Sequence, residues 1–128
     1  MTTRRRLGMG LDLLLTAASS QVKGEGGEKS WAYLEEYYEK ALQEEEKGNS
    51  FEAYYFYRRI IDAFEEGRDK NAPEVRQLVS QALNNAAVLF FENGQAELAA
   101  VFLQRAVEIC PQNAVAKENL ALLRSGGR

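Results

Sequence analysis

At 128 residues the chain is long enough for one domain with a real core and too short for two. Its 45% apolar and 27% charged content is that of an ordinary soluble globular protein, and a net charge of −3 argues against a general nucleic-acid binder. With no His and one Cys, Cys110, the chain lacks the usual ligands for zinc or haem, a Cys/His nucleophile pair and any intrachain disulfide. No cofactor or metal is expected. The lone thiol fits a reducing, cytoplasmic setting, and no apolar run nears the roughly 20 residues that cross a bilayer, so stable membrane insertion is not expected.

Charge is unevenly spread. Residues 1–29 carry five basic and three acidic side chains and the remainder eleven and sixteen, so a basic arm precedes an acidic body. Arg4, Arg5 and Arg6 lead into Leu7-Gly8-Met9-Gly10-Leu11-Asp12-Leu13-Leu14-Leu15 and then a small-residue stretch. Gln21 to Lys29, with Gly24, Gly26 and Gly27 among charges, reads as a flexible linker.

A folded domain is expected over residues 30–128, with Ser30 as the first N-cap and Trp31 behind it. Leu34, Tyr37, Tyr38, Ala41 and Leu42 recur at three and four residues and predict a helix over 31–47, ended by Gly48-Asn49-Ser50. Ala53, Tyr54, Tyr57, Ile60, Ile61 and Phe64 predict a second over 51–66. Four consecutive aromatics cannot share one helix face, which places Tyr54 and Tyr57 inward and Tyr55 or Phe56 near the surface. Asn71 can cap a third helix over 73–93 and Pro73 suits its first turn. Val75, Leu78, Val79, Ala82, Leu83, Ala86, Leu89 and Phe90 hold its apolar stripe. A fourth, over 96–110, carries Leu98, Ala99, Phe102, Ala106 and Ile109 and closes at Pro111. Asn113 caps the last, over 114–124. No segment alternates with period two, so the fold class is all-α.

Two of these segments nearly repeat each other. Gly48 and Gly94 each stand five residues before a small alanine, Ala53 and Ala99, and aromatic or aliphatic residues follow at helical spacing. Gly permits the tight turn and Ala the close helix approach. Residues 80–113 resemble a tetratricopeptide repeat (TPR), with Ala86-Ala87 at the family's Leu-Gly pair and Phe90 at its Tyr. Gly94, Ala99, Leu103, Ala106 and Pro111 follow in its register. Residues 34–67 match at Gly48, Ala53 and Tyr57, but Ile60 replaces the second Ala and no Pro closes the unit. Residues 114–124 look like the first helix of a further unit. The resemblance implies helical-hairpin repeats, a TPR-like α-solenoid of about two and a half units.

The arm resembles the opening of ParB-type chromosome-partitioning proteins, basic residues followed by Leu-Gly-Arg-Gly-Leu. Arg4, Arg5, Arg6, Leu7, Leu11 and Leu14 would be its docking residues, and the resemblance implies a ParA-type ATPase as a partner. Met9 stands where that family has a stimulatory Arg, and a thioether cannot stabilise a transferring phosphoryl group. Two readings compete with this one: a disordered basic tail with a weakly amphipathic turn, and an export signal, since Arg4 to Arg6 and the apolar run behind them resemble a twin-arginine leader over residues 1–18. Asp12 within the run argues against export.

In TPR folds the first helix of each unit lines a concave groove. Carried over, this gives Glu35, Tyr38, Glu39, Leu42, Glu45 and Glu46 from the first helix, Gln81, Asn84, Asn85, Val88, Phe91 and Glu92 from the third, and Glu118, Asn119 and Leu122 from the last. Asn85 falls where peptide-binding members hold ligand backbone with an amide that donates and accepts. An acidic, aromatic groove suits a basic or apolar peptide, or the chain's own arm with Leu11, Leu14 and Leu15 near Tyr38 and Phe91 and Arg4 to Arg6 near Glu35 and Glu39. The sequence thus reads as a non-catalytic adaptor that binds a protein or peptide, with the oligomeric state left open.

Overall fold

The computed structural model describes residues 31–67 and 70–126. They form five α-helices: α1 (Ala32–Glu46), α2 (Ser50–Glu65), α3 (Pro73–Glu92), α4 (Ala96–Ile109) and α5 (Ala114–Arg124), with no strand among the described residues. The described part of the chain is all-α, and each helix lies within a residue of the span its apolar periodicity predicts. The arm and its linker fall outside the described residues, and the N-cap of α1 is Trp31, not the expected Ser30, with no side-chain cap.

The connections set the layout. Gly48 and Gly94 both take positive φ, 83° and 82°, beyond the ends of α1 and α3. Each closes its helix with the same pair of hydrogen bonds. Asn49 N–H reaches Glu44 O at 2.8 Å and Gly48 N–H reaches Glu45 O at 3.0 Å; Gln95 N–H reaches Phe90 O at 2.9 Å and Gly94 N–H reaches Phe91 O at 3.0 Å. This is the paired closure that left-handed glycine allows at a helix end. The chain therefore reverses within three residues, and α1 pairs with α2 as α3 pairs with α4. The start of α3 differs from expectation. Ala72, not Asn71, is the N-cap and makes no side-chain cap. Pro73 supplies the pre-set φ and needs no N–H partner, so the turn dispenses with a polar cap. Asn113 does cap α5, accepting from Ala116 N–H at 3.1 Å.

Helix α3 is the centre of the domain. It packs on α2 and α4, and it also touches α1 and α5. All eight residues from Ala82 to Leu89 are buried, which happens only when a helix has neighbours on every side. Helices α1, α3 and α5 make one row and α2 and α4 a second, held apart by α3 between them. Small residues allow the close approach: Ala41, Ala53, Ala82, Ala86, Ala87, Ala99, Ala106 and Ala116 are all 0% exposed. Larger side chains, Tyr38, Tyr57, Leu34, Ile60 and Leu103, fill the spaces between them.

Ala99 shares the buried stripe of α4 with Leu103 and Ala106, and the Ala106 carbonyl takes the Ser80 hydroxyl of α3 at 2.8 Å. Three added heavy atoms at Ala99 have no room at that crossing. Ala99→Leu should lower stability by about 1–3 kcal/mol in chemical denaturation. An unchanged midpoint would place Ala99 outside the crossing.

Candidate functional site

The residues expected to line an inner groove divide into two groups. Glu35, Leu42, Gln81 and Phe91 are half-buried and Glu39 is exposed, leaving a shallow strip along α1 and α3. Tyr38, Asn84, Asn85, Val88 and Asn119 are 1% exposed or less. These five are core residues of the described fold and cannot meet a ligand there. The physical reason is the side-by-side row of α1, α3 and α5, which turns the expected groove wall into helix–helix contact.

Glu45, also expected in the groove, is 4% exposed and accepts a hydrogen bond from the Tyr57 hydroxyl. Its burial was legible: Leu34, Tyr38, Ala41 and Glu45 fall on one helical stripe.

The buried polar groups form a connected ladder. Asn85 Nδ2 donates to the Tyr38 and Tyr57 hydroxyls, both at 3.1 Å. Asn84 Nδ2 donates to Asn85 Oδ1 at 3.1 Å, and Asn119 Nδ2 donates to Asn84 Oδ1 at 2.8 Å. The amide expected to hold a ligand backbone instead spends its donors and acceptor inside the domain. A second set joins α3 to the start of α5, where Asn113 Nδ2 donates to Ser80 Oγ at 2.8 Å. Buried amide bonds of this kind fix relative helix positions more narrowly than apolar contact does, although Asn119 Oδ1 at the end of the ladder is buried without a hydrogen-bond partner among the described residues.

Burial raises the pKa of both Tyr38 and Tyr57, and the nearby Glu45 carboxylate pushes each further up. For Tyr38 the Asn85 hydrogen bond partly offsets the rise.

An open recess lies on the other side of the molecule. The cleft between α2 and α4 has a volume of about 440 Å³. Its apolar lining comes from Ile61, Leu83 and Phe102, and Val101 stands 62% exposed among its lining residues. Ala100, Arg58, Glu65, Gln104, Arg105, Glu108 and Arg124 complete it. Arg105 reaches across from α4 to Glu65 of α2 at 3.1 Å, and Arg124 donates to Gln104 at 2.5 Å. Tyr54 of α2, Phe90 of α3 and Phe102 of α4 stack edge to face at 5.2 and 4.8 Å, filling the space between the two outer helices. Exposed ion pairs such as Arg105–Glu65 hold weakly in water, so this bridge can yield to an incoming group.

Sequence reasoning assigned Tyr54, Ile61 and Phe102 to the core and did not bring the two outer helices together. The usable signal was the pair of parallel stripes, Tyr54, Arg58, Ile61 and Glu65 on α2 and Val101, Gln104, Arg105 and Glu108 on α4. The surface reading of the aromatic run holds, since Tyr57 is buried and Tyr55 is 54% exposed.

Among the described residues no group of three His, Cys, Asp or Glu could hold a metal ion, and no helix is long and apolar enough to cross a membrane. No protein-family model, curated protein or solved structure matches the chain.

Two measurements test the ladder. Asn85→Ala removes the donors to both phenols and should lower stability by about 1–3 kcal/mol or more. The tyrosines give a pH dependence. Their folded pKa values lie above the unfolded value of about 10, so the folded chain keeps protons that the unfolded chain releases. The stability involved is complete below about pH 10 and is lost as pH rises beyond it. In an alkaline titration followed by phenolate absorbance and circular dichroism, Tyr38 and Tyr57 should ionise only as helicity disappears.

Proposed function

We propose that this chain is a protein-binding module of two and a half TPR-like units, and that it docks a partner segment in the cleft between α2 and α4. Several features support the repeat reading. The two glycine turns share one hydrogen-bond pattern, and Ala53 and Ala99, each five residues further on, are both fully buried. Side-by-side contacts from α3 to α5 join residues 33 and 35 apart, Ser80 with Asn113 and Asn84 with Asn119. That spacing brackets the roughly 34-residue TPR period. The corresponding contact from α1 to α3, Tyr38 with Asn85, spans 47 residues. The added length fits the longer α2–α3 connection and the 20-residue α3.

The observation that carries the docking site is the apolar lining of the cleft together with the exposed Val101. An apolar side chain entering there would cover Ile61, Leu83 and Phe102, while Arg58, Glu65, Arg105 and Glu108 offer both signs of charge to its flanks. Apolar centre and charged rim is the usual division of labour in a protein interface. Such a module binds and does not catalyse. The strip of Glu35, Glu39, Leu42 and Phe91 is a shallower surface for a basic or apolar segment. Engagement of a ParA-type ATPase, or export, rests on residues 1–18, outside the described residues.

Selection of a displayed peptide library on the wild-type domain should enrich sequences with an apolar anchor flanked by charges. Val101→Asp, at an exposed position, should leave the melt unchanged and weaken those peptides at least tenfold, about 1.4 kcal/mol. Leu42→Asp on the inner strip should leave them bound. The reverse pattern would move the site to the inner face.

A further inference from the structure

The two ends of the helical stack are chemically unlike. Beyond α5 the outward side chains are Ala114, Lys117, Glu118, Ala121 and Arg124, all exposed, a polar finish suited to water. The opposite end, formed by α1 and α2, carries a connected aromatic surface. Tyr33 meets Tyr37 edge-on at 5.8 Å, Tyr37 meets Phe56 at 6.0 Å, and Phe56 meets Tyr55 at 5.2 Å. Arg59 lies 5.4 Å from the Tyr37 ring centre and 5.8 Å from that of Tyr55, donating to both hydroxyls at 3.3 Å. Beside these rings a recess of about 420 Å³ is lined by Tyr33, Tyr37, Arg59, Asp62, Ala63 and Glu66, all from α1 and α2. Phe51, one turn before Tyr55, is 89% exposed. A stack of helical units needs a polar finish at both ends. This end instead presents a strip of rings, with Tyr55 and Phe51 exposed, beside the charged groups of Arg59, Asp62 and Glu66.

We propose that this aromatic edge seats the chain's own residues 7–18. In the sequence Leu7, Leu11, Leu14, Leu15 and Ala18 recur at spacings of three and four, an apolar stripe of the kind that covers aromatic surface. Three observations favour this occupant. The chain enters the domain at that edge, since Trp31 directly precedes α1 and Tyr33 lies in its first turn. Residues 19–30 can span up to about 40 Å, against about 22 Å for the length of α1, so the stripe can lie along the whole edge. Exposed Glu36, Glu52 and Glu66 on α1, α2 and just beyond α2 suit Arg4, Arg5 and Arg6. Tethering supplies an effective concentration near millimolar, so modest affinity is enough to close the contact. The seat differs from the inner groove suggested by the sequence, whose Tyr38 is already taken up by the core.

The test uses the full chain and a variant with Leu11→Asp, Leu14→Asp and Leu15→Asp. Backbone amide and ring resonances should differ between them at Tyr33, Tyr37, Phe56, Arg59 and Ala63 and stay fixed in α3 to α5. Hydrogen exchange of the wild-type chain should show amides 11–18 protected roughly tenfold over the variant. Differences confined to Glu35, Glu39 and Phe91, or to the α2–α4 cleft, would overturn the assignment, as would unprotected amides at 11–18. Edge shifts that grow with protein concentration, with a dimeric mass in sedimentation, would assign the edge to a second copy and overturn the intrachain contact.

Discussion

The Asn85 amide constrains more of this domain than any other single group. It lies between two tyrosine hydroxyls, one from α1 and one from α2, while its oxygen takes the Asn84 side chain on the same helix. An amide that has lost its water must find all of these partners, because an unmet donor in a low-dielectric core costs more than a met one contributes. The rotation of α1 and α2 about their axes, and their distance from α3, are therefore fixed to within hydrogen-bond tolerance. Asn84 passes the constraint on to Asn119 of α5. Four of the five helices are registered through one polar ladder, and the alanines around it let the backbones come close enough to form it.

That registration decides which surfaces remain open to solvent. In the row of α1, α3 and α5 the helices lie side by side, and positions facing along the row are consumed as core. In the row of α2 and α4 the intervening α3 keeps the two helices apart, and the space between them is only partly filled by Tyr54, Phe90 and Phe102. The Arg105–Glu65 bridge spans this gap at the surface. The same arrangement that closes most of the inner face leaves the outer cleft open, so the two features have a single cause.

Much of the fold was legible in the sequence because its determinants are local. Apolar spacing of three and four located all five helices, and Gly48 and Gly94 marked turns that only a residue comfortable at positive φ can make. Asn113 was recognisable as a cap from its place before an apolar run. Asn71 was not a cap despite having the right chemistry, because Pro73 already pre-organises the first turn. Glu45 shows where pattern and residue type pull apart. Its spacing places it in the core and its charge suggests solvent, and Tyr57, twelve residues away, resolves the conflict.

The sequence by itself determined the helices, their ends and the small residues at which they would approach. Only the tertiary structure decided the fate of Asn84, Asn85 and Asn119, whose side chains suit a ligand and a core equally well. Helical periodicity says which residues share a face, but the same face can meet solvent, a partner or another helix of the chain. What settles the matter is the distance between helices distant in sequence. That distance is set by packing around α3, which no local pattern encodes.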